Sequence, residues 1–177
     1  MDYRTKPTSR NDLRQYAKLL RRLFHVPETG AFPVLQVLDQ IPDVFKGSNC
    51  LIVPDCKLPA KTMARCFPNG NCGLTIEIKE SVYMGAYNKK IGAFLGFICH
   101  EICHVFLFNI GFTPICERSF DEKDIPTYCR VEWQAKALCG EVMIPYEESR
   151  GMTAKMIEEK YHVSKAFAQV RRKQERR

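Results

Sequence analysis

The chain has 177 residues, 45% of them hydrophobic and 27% charged, with a formal net charge of +7. That length fits one domain, or a core with a small appendage, and the apolar share is enough for a buried core, which excludes a disordered or low-complexity chain. The longest apolar run, residues 91–99, is too short to span a bilayer, and Arg4, Lys6, Arg10, Arg14 and Lys18 interrupt any signal-like N-terminus, so a soluble, cytoplasmic protein with no membrane partner is expected.

In chain order, residues 8–12 (Thr-Ser-Arg-Asn-Asp) can cap a helix in which Leu13, Tyr16, Ala17, Leu20 and Leu23-Phe24 form one stripe. Residues 26–30 break it, and a short helix from about Pro33 to Ile41 should stop at Pro42. Residues 50–53 read as a short strand ended by Pro54-Asp55. The stretch from Pro59 to Gly73 holds a Pro68-Asn69-Gly70 turn, and the alternating residues 74–79 read as a second strand. An apolar helix follows, starting near Gly92 and stopped by Asn109-Ile110-Gly111. After a polar loop, a further helix runs from Glu132 to Pro145. Residues 152–171 read as helix, tight turn, helix, with Ser164 capping the second. This order predicts an α+β fold with a 1–44 helical segment, a 45–150 core and a 151–177 helical pair with a basic tail.

The chemistry sits in His100-Glu101-Ile102-Cys103-His104, an HExxH sequence inside the apolar helix. Residues four apart share a helix face, so both imidazoles can reach one point, and the intervening carboxylate can act on water held there. Burying two imidazoles and a carboxylate without partners costs several kcal/mol, which a metal removes. A hydrolytic zinc needs a third protein ligand and one open position. Glu132 is the best-placed candidate, because Ala135, Leu138, Cys139 and Val142 give its helix a buried face on the same side. Glu117, Asp121, Glu122 and Asp124 lie in a polar loop. A solvated first-turn glutamate favoured by the helix dipole explains Glu132 equally well.

HExxH together with Glu132-Trp133-Gln134-Ala135 and Met143-Ile144-Pro145 resembles the ImmA/IrrE family of zinc metallopeptidases, over roughly residues 45 to 170. In that family a helix of the form E-x-x-A-N-x-F-A-x-x-L-L-M-P follows HExxH. Lys136 stands here for its Asn, Leu138 for its Phe, and Phe108 for a His one turn beyond the second ligand. The resemblance implies a zincin-like core, Zn²⁺ held by His100, His104 and Glu132, and Glu101 as general base. It implies a protein substrate, most simply a helix-turn-helix repressor of the XRE type, often encoded nearby on a mobile element. In zincins an edge strand beside the active-site helix pairs with the substrate, and residues Leu74, Thr75, Ile76, Glu77 and Ile78 are the expected strand. Tyr83, Tyr87, Tyr128 and His162 are all possible oxyanion donors, and spacing does not choose among them. His162 is expected near the site. The C-terminal pair resembles the helix-turn-helix-like tail of the family, and its pattern is the one two amphipathic helices need to pack on the core, the use expected here over DNA reading.

Two other function classes fit the same residues. One is a non-hydrolytic anti-repressor or toxin–antitoxin partner with a structural zinc, which Glu101 argues against because such a site has no use for a base. The other is a DNA-binding regulator built on the C-terminal helices. Residues 1–22 and 165–177 carry thirteen basic and three acidic residues around a mildly acidic middle, which reads as solvated helix faces or a protein-docking surface rather than a nucleic-acid surface. Nine cysteines without a signal peptide suggest free thiols or metal. The five-residue gaps within Cys50/Cys56 and Cys66/Cys72 are too long for a usual structural zinc knuckle. Cys99 and Cys103 read as small core residues beside the motif.

Overall fold

The computed structural model describes residues 3–70, 72–115 and 125–175. The expected capping box forms at the start of α1 (Arg10–Leu23). The Ser9 hydroxyl accepts from the Asp12 amide, and the Asp12 carboxylate accepts from the Ser9 amide. Leu13, Ala17 and Leu20 are buried on one stripe as the spacing requires. Arg21 is also buried there. Its guanidinium donates to the carbonyls of Pro27, Thr29, Gly30 and Val142 at 2.6–3.2 Å, which binds α1 to the chain that follows it and to the end of a distant helix.

The second helix, α2 (Val34–Val44), does not stop at Pro42 but carries it in its last turns. A proline there lacks an N–H and removes one backbone hydrogen bond, and burial of Val34, Val37, Leu38 and Ile41 outweighs that loss.

Strands β1 (Asn49–Val53), β2 (Ala64–Pro68) and β3 (Leu74–Lys79) form one sheet in the order β1-β3-β2. β3 runs parallel to β1 (Asn49 opposite Thr75) and antiparallel to β2 (Ala64 opposite Ile78). This corrects the expectation that Leu74, Thr75, Ile76, Glu77 and Ile78 form a substrate-pairing edge. β3 is the central strand, its backbone is committed on both sides, and even Thr75 and Lys79 are buried. The Lys79 ammonium is satisfied by the carbonyls of Pro59 and Ala60, at 2.9 and 3.1 Å. β2 arises from a stretch that reads as a turn, because Ala-Arg-Cys-Phe-Pro has little alternation and ends in proline. A strand of that composition is tolerated at a sheet edge.

A helix that sequence spacing did not announce, α3 (Glu80–Lys89), leads into α4 (Gly92–Asn109). α4 is long and apolar enough to cross a membrane by length and composition alone. It is instead a core helix, packed against α2, α3, β2 and β3, with Ile98, Cys99, Ile102, Cys103, Val105 and Phe106 at 0% exposure. Its other partner is α5 (Val131–Met143), which crosses to reach α1 as well. A single turn, α6 (Tyr146–Ser149), precedes the final pair α7 (Ala154–Tyr161) and α8 (Lys165–Glu175).

That pair packs onto the body of the molecule. Ile157, Tyr161, Val163 and Ala168 join the same buried core as Leu13 and Ile98, so residues from all three expected segments share one interior. Arg171 on α8 is 2% exposed and pairs with Glu141 of α5 at 3.0 Å, while also donating to the Gly140 and Ile144 carbonyls. His162 makes the α7–α8 turn in a left-handed conformation (φ 54°), and the turn sits directly on the first residue of α4. A Cβ on Gly92 would lie 2.5 Å from the Val163 carbonyl carbon.

Candidate metal centre

His100 and His104 stand one turn apart on α4, their rings edge to face with centroids 4.7 Å apart. Their Nε2 atoms are 3.1 Å from each other. Glu132, in the first turn of α5, places Oε2 3.2 Å from His100 Nε2 and Oε1 3.3 Å from His104 Nε2. Both imidazoles hold the Glu132 carboxyl well below the usual carboxylate range by hydrogen bonding, against a smaller opposing effect of burial. A metal about 2.0–2.1 Å from each donor in tetrahedral array spaces its ligands about 3.3 Å apart. The observed 3.1, 3.2 and 3.3 Å fit that spacing, and a two-imidazole, one-carboxylate donor set suits zinc. The residues therefore fit a metal ion, whose identity the donor set alone does not fix.

Glu132 differs from its expected setting in one respect. Its side chain is 58% exposed, against 22% and 13% for His100 and His104. The buried face of α5 is made by Gln134, Ala135, Leu138 and Cys139, and Glu132 stands at the open side of the site instead. The start of α5 is held from outside the helix. The Val131 amide donates to the Tyr3 carbonyl at 3.0 Å, the Thr5 amide to the Cys129 carbonyl at 2.8 Å, and the Ile115 amide to the Arg4 carbonyl at 2.7 Å. The Gln134 amide group, fully buried, donates to the Lys6 and Tyr128 carbonyls, both at 2.8 Å. The extended N-terminal segment thus fixes where Glu132 stands.

Glu101 lies on the same helix as the two histidines and is 9% exposed. Burial raises its pKa, the neighbouring imidazoles of His100 and His104 lower it, and the Glu132 charge raises it, with a net upward displacement. A carboxyl so placed can exchange a proton with water in the cleft at a pH nearer neutrality than a solvated glutamate does.

His100, Glu101, His104 and Glu132 line a cleft of about 400 Å³, together with Ala64–Pro68 of β2, Phe108, Phe112, Pro114 and Val131. Of the proposed oxyanion donors, none lines it. Tyr83 and Tyr87 stack on each other on α3, at 6.2 Å between ring centroids, and Tyr128 sits in the turn before α5. His162 lines a separate cavity with Phe32, Tyr87 and Leu95. It packs at the Gly92 end of α4, and eight residues of helix, about 12 Å, separate that end from His100. Tyr3 and Arg65 bring donors to the cleft wall instead, and neither carries a motif in the sequence that would have marked it. Arg65 is paired with Glu77 across the β2–β3 ladder at 2.7 Å. Cys66 also lines the cleft, its thiol kept protonated by burial first and then by the negative charges of Glu101 and Glu132.

The loop acids Glu117, Asp121, Glu122 and Asp124, weighed as alternative third ligands, lie outside the described residues. Cys50, Cys56, Cys66 and Cys72 do not assemble among the described residues, where Cys56 and Cys72 are exposed and Cys50 and Cys66 half-buried. Two ligand groups do assemble there: the His100–His104–Glu132 group, and the buried thiols of Cys99, Cys103 and Cys139. No family model matches the chain, and no curated protein does.

Proposed function

We propose that this chain is a zinc-dependent endopeptidase of the ImmA/IrrE type with a zincin-like core, acting in the cytoplasm on a protein substrate. The observation that carries the reading is the convergence of two imidazole nitrogens and the two oxygens of one carboxylate at 3.1–3.3 Å, with a buried carboxyl, Glu101, on the same helix as the imidazoles. His100, His104 and Glu132 would hold the ion. When bound, zinc supplies a Lewis acid that polarises a carbonyl and acidifies water. Glu101 accepts the proton of the attacking water and returns it to the departing amine, so one residue serves as base and then acid. The partly exposed Glu132 side of the site leaves room for a peptide to enter.

The strand available to such a peptide is β2. It is an edge strand, it walls the cleft along Ala64–Pro68, and main-chain pairing to an edge recognises an extended peptide largely without regard to sequence. Phe67, Phe108 and Phe112 supply apolar surface for its side chains. The substrate proposed is a helix-turn-helix repressor of the XRE type, and the packing of α7 and α8 onto the core favours a structural use of that pair over DNA reading.

The test is incubation of zinc-loaded protein with a panel of XRE-type repressors and with a mixed peptide library, reading new termini by mass spectrometry. Wild type should generate defined new N-termini, and Glu101→Gln should retain zinc while producing them at least about 10²-fold more slowly. Zinc-loaded wild type that cuts nothing, or cuts no faster than Glu101→Gln, would contradict the reading.

A further inference from the structure

The interior of the α4–α5 contact holds a group that the hydrolytic reading does not use. Cys99 and Cys103 lie one turn apart on α4, Cys139 faces them from α5, and the three Sγ atoms lie within 4.8 Å of one another. They are 0%, 0% and 2% exposed. A fourth soft atom is adjacent, since Met143 Sδ is 3.9 Å from Cys139 Sγ. No imidazole or carboxylate belongs to this group.

We propose that Cys99, Cys103 and Cys139 form a second metal site, sulfur-only and dry, that takes a soft monovalent cation of the Cu(I) class. Three arguments converge. The first is geometric: a metal about 2.3 Å from three sulfurs in a plane would space them about 4.0 Å apart, within the 4.8 Å that bounds the three Sγ separations.

The second is selectivity. Zinc prefers four strong ligands, or three and a water, and this interior offers three thiols, one thioether and no solvent. Soft, low-coordinate Cu(I) accepts thiolate and thioether donors without a water.

The third is charge. Thiolates around a monovalent ion leave net negative charge in the core, and a buried cation stands near to offset it. Burial is the larger influence on the Cys99 thiol and favours its protonated form, and the Arg21 guanidinium, 1% exposed and hydrogen-bonded to carbonyl groups, acts in the opposite direction. Its hydrogen-bond partners are carbonyls, which carry no net charge, so its positive charge is shared between the sulfur group and the Glu148 carboxylate. Loading exchanges thiol protons for the ion and releases them to solvent. No electron moves, because copper enters already reduced.

The experiment uses full-length Cys56→Ser/Cys72→Ser protein, zinc-loaded, which removes the two thiols that are exposed among the described residues. Cu(I) is supplied anaerobically, both to folded protein and during refolding, against a competing chelator such as bathocuproine. The expected result is one Cu(I) per chain, a copper X-ray absorption spectrum with three sulfur neighbours and no nitrogen, and an affinity at least 100-fold lower in Cys139→Ala with zinc content unchanged. Nitrogen in the copper shell, an affinity indifferent to Cys139→Ala, or no copper retained by either loading route would each overturn the proposal. Should Cys139→Ala fail to fold, the absorption spectrum of the parent protein decides alone.

Discussion

At the scale of single residues, the candidate site depends on four side chains whose identities are chemical requirements. Glu101→Gln keeps shape and removes the base, so turnover should fall about 10²–10⁴-fold with zinc content unchanged. A variant that loses zinc instead would mean that Glu101 is a ligand or a structural support. The pair His100 and His104 was legible because i, i+4 spacing on a helix is geometry written directly into sequence. Glu132 was legible as a position, but its setting was not. Periodicity placed it on the buried face of α5, whereas the first turn of a helix leaves room for a side chain to swing away, and the carboxylate stands 58% exposed at the cleft. Tyr3 and Arg65 were not legible at all, since they reach the cleft from a terminal segment and an edge strand that only tertiary packing brings there.

At the scale of elements, two contacts carry most of the architecture around the site, and each yields an expected outcome. Gly92 permits the α7–α8 turn to rest on α4, so Gly92→Ala forces the two apart and should cost about 1–3 kcal/mol in denaturant unfolding. An unchanged midpoint would mean that the turn yields freely. Arg171 joins α8 to α5 through Glu141, with both side chains no more than 2% exposed. Removing one partner of a buried pair strands the other, although Arg10 and Arg14 approach Glu141 at 3.4 and 3.7 Å and soften the loss. Arg171→Ala should therefore destabilise by about 3 kcal/mol, the low end of the range for such pairs, measured by the same unfolding experiment.

Glu148 ties α6 to α7 and to the 26–30 break. Burial acts to raise its pKa, but the Lys160 ammonium, the Gly30 amide and the Tyr161 hydroxyl outweigh burial and hold it below the usual range. A depressed folded value stabilises above the unfolded glutamate pKa of about 4.3 and loses that contribution as pH falls through the lower folded value. The acid limb of the stability curve should accordingly be shallower in Glu148→Gln than in wild type. The strands show where element reading stops. Alternation located β3 correctly and gave no information on its neighbours, because sheet order is set by which strand buries most. With Ile76 and Ile78 at 0% exposure, β3 takes the centre and leaves the edge to β2.

Across the whole molecule, α4 and α5 meet along their length, and both ligand groups bridge that one contact. An ion at His100, His104 and Glu132 would clamp the two helices that organise the core, so binding and folding are linked. With free zinc about a thousandfold above its dissociation constant, linkage adds about 4 kcal/mol. For a chain of this size that corresponds to a melting temperature higher by about 10 °C, which chelation should remove. A melting point indifferent to zinc and chelator would mean that the metal does not bridge these helices. The α+β class and the order of most elements could be read in advance, since periodicity and caps act locally. That the C-terminal pair packs on the core could be expected from its two amphipathic helices, but its seat on Gly92 and Glu141 could not, and neither could the role of the N-terminal segment in fixing α5, which rests on a Gln134–Lys6 contact 128 positions apart.

The central claim is that one metal ion is held by His100, His104 and Glu132. It is tested most directly by elemental analysis of dialysed wild type beside His100→Ala and Glu132→Ala. About one zinc per chain in wild type, lost from both variants, is the predicted result. Zinc retained in both variants would place the metal elsewhere and contradict the account.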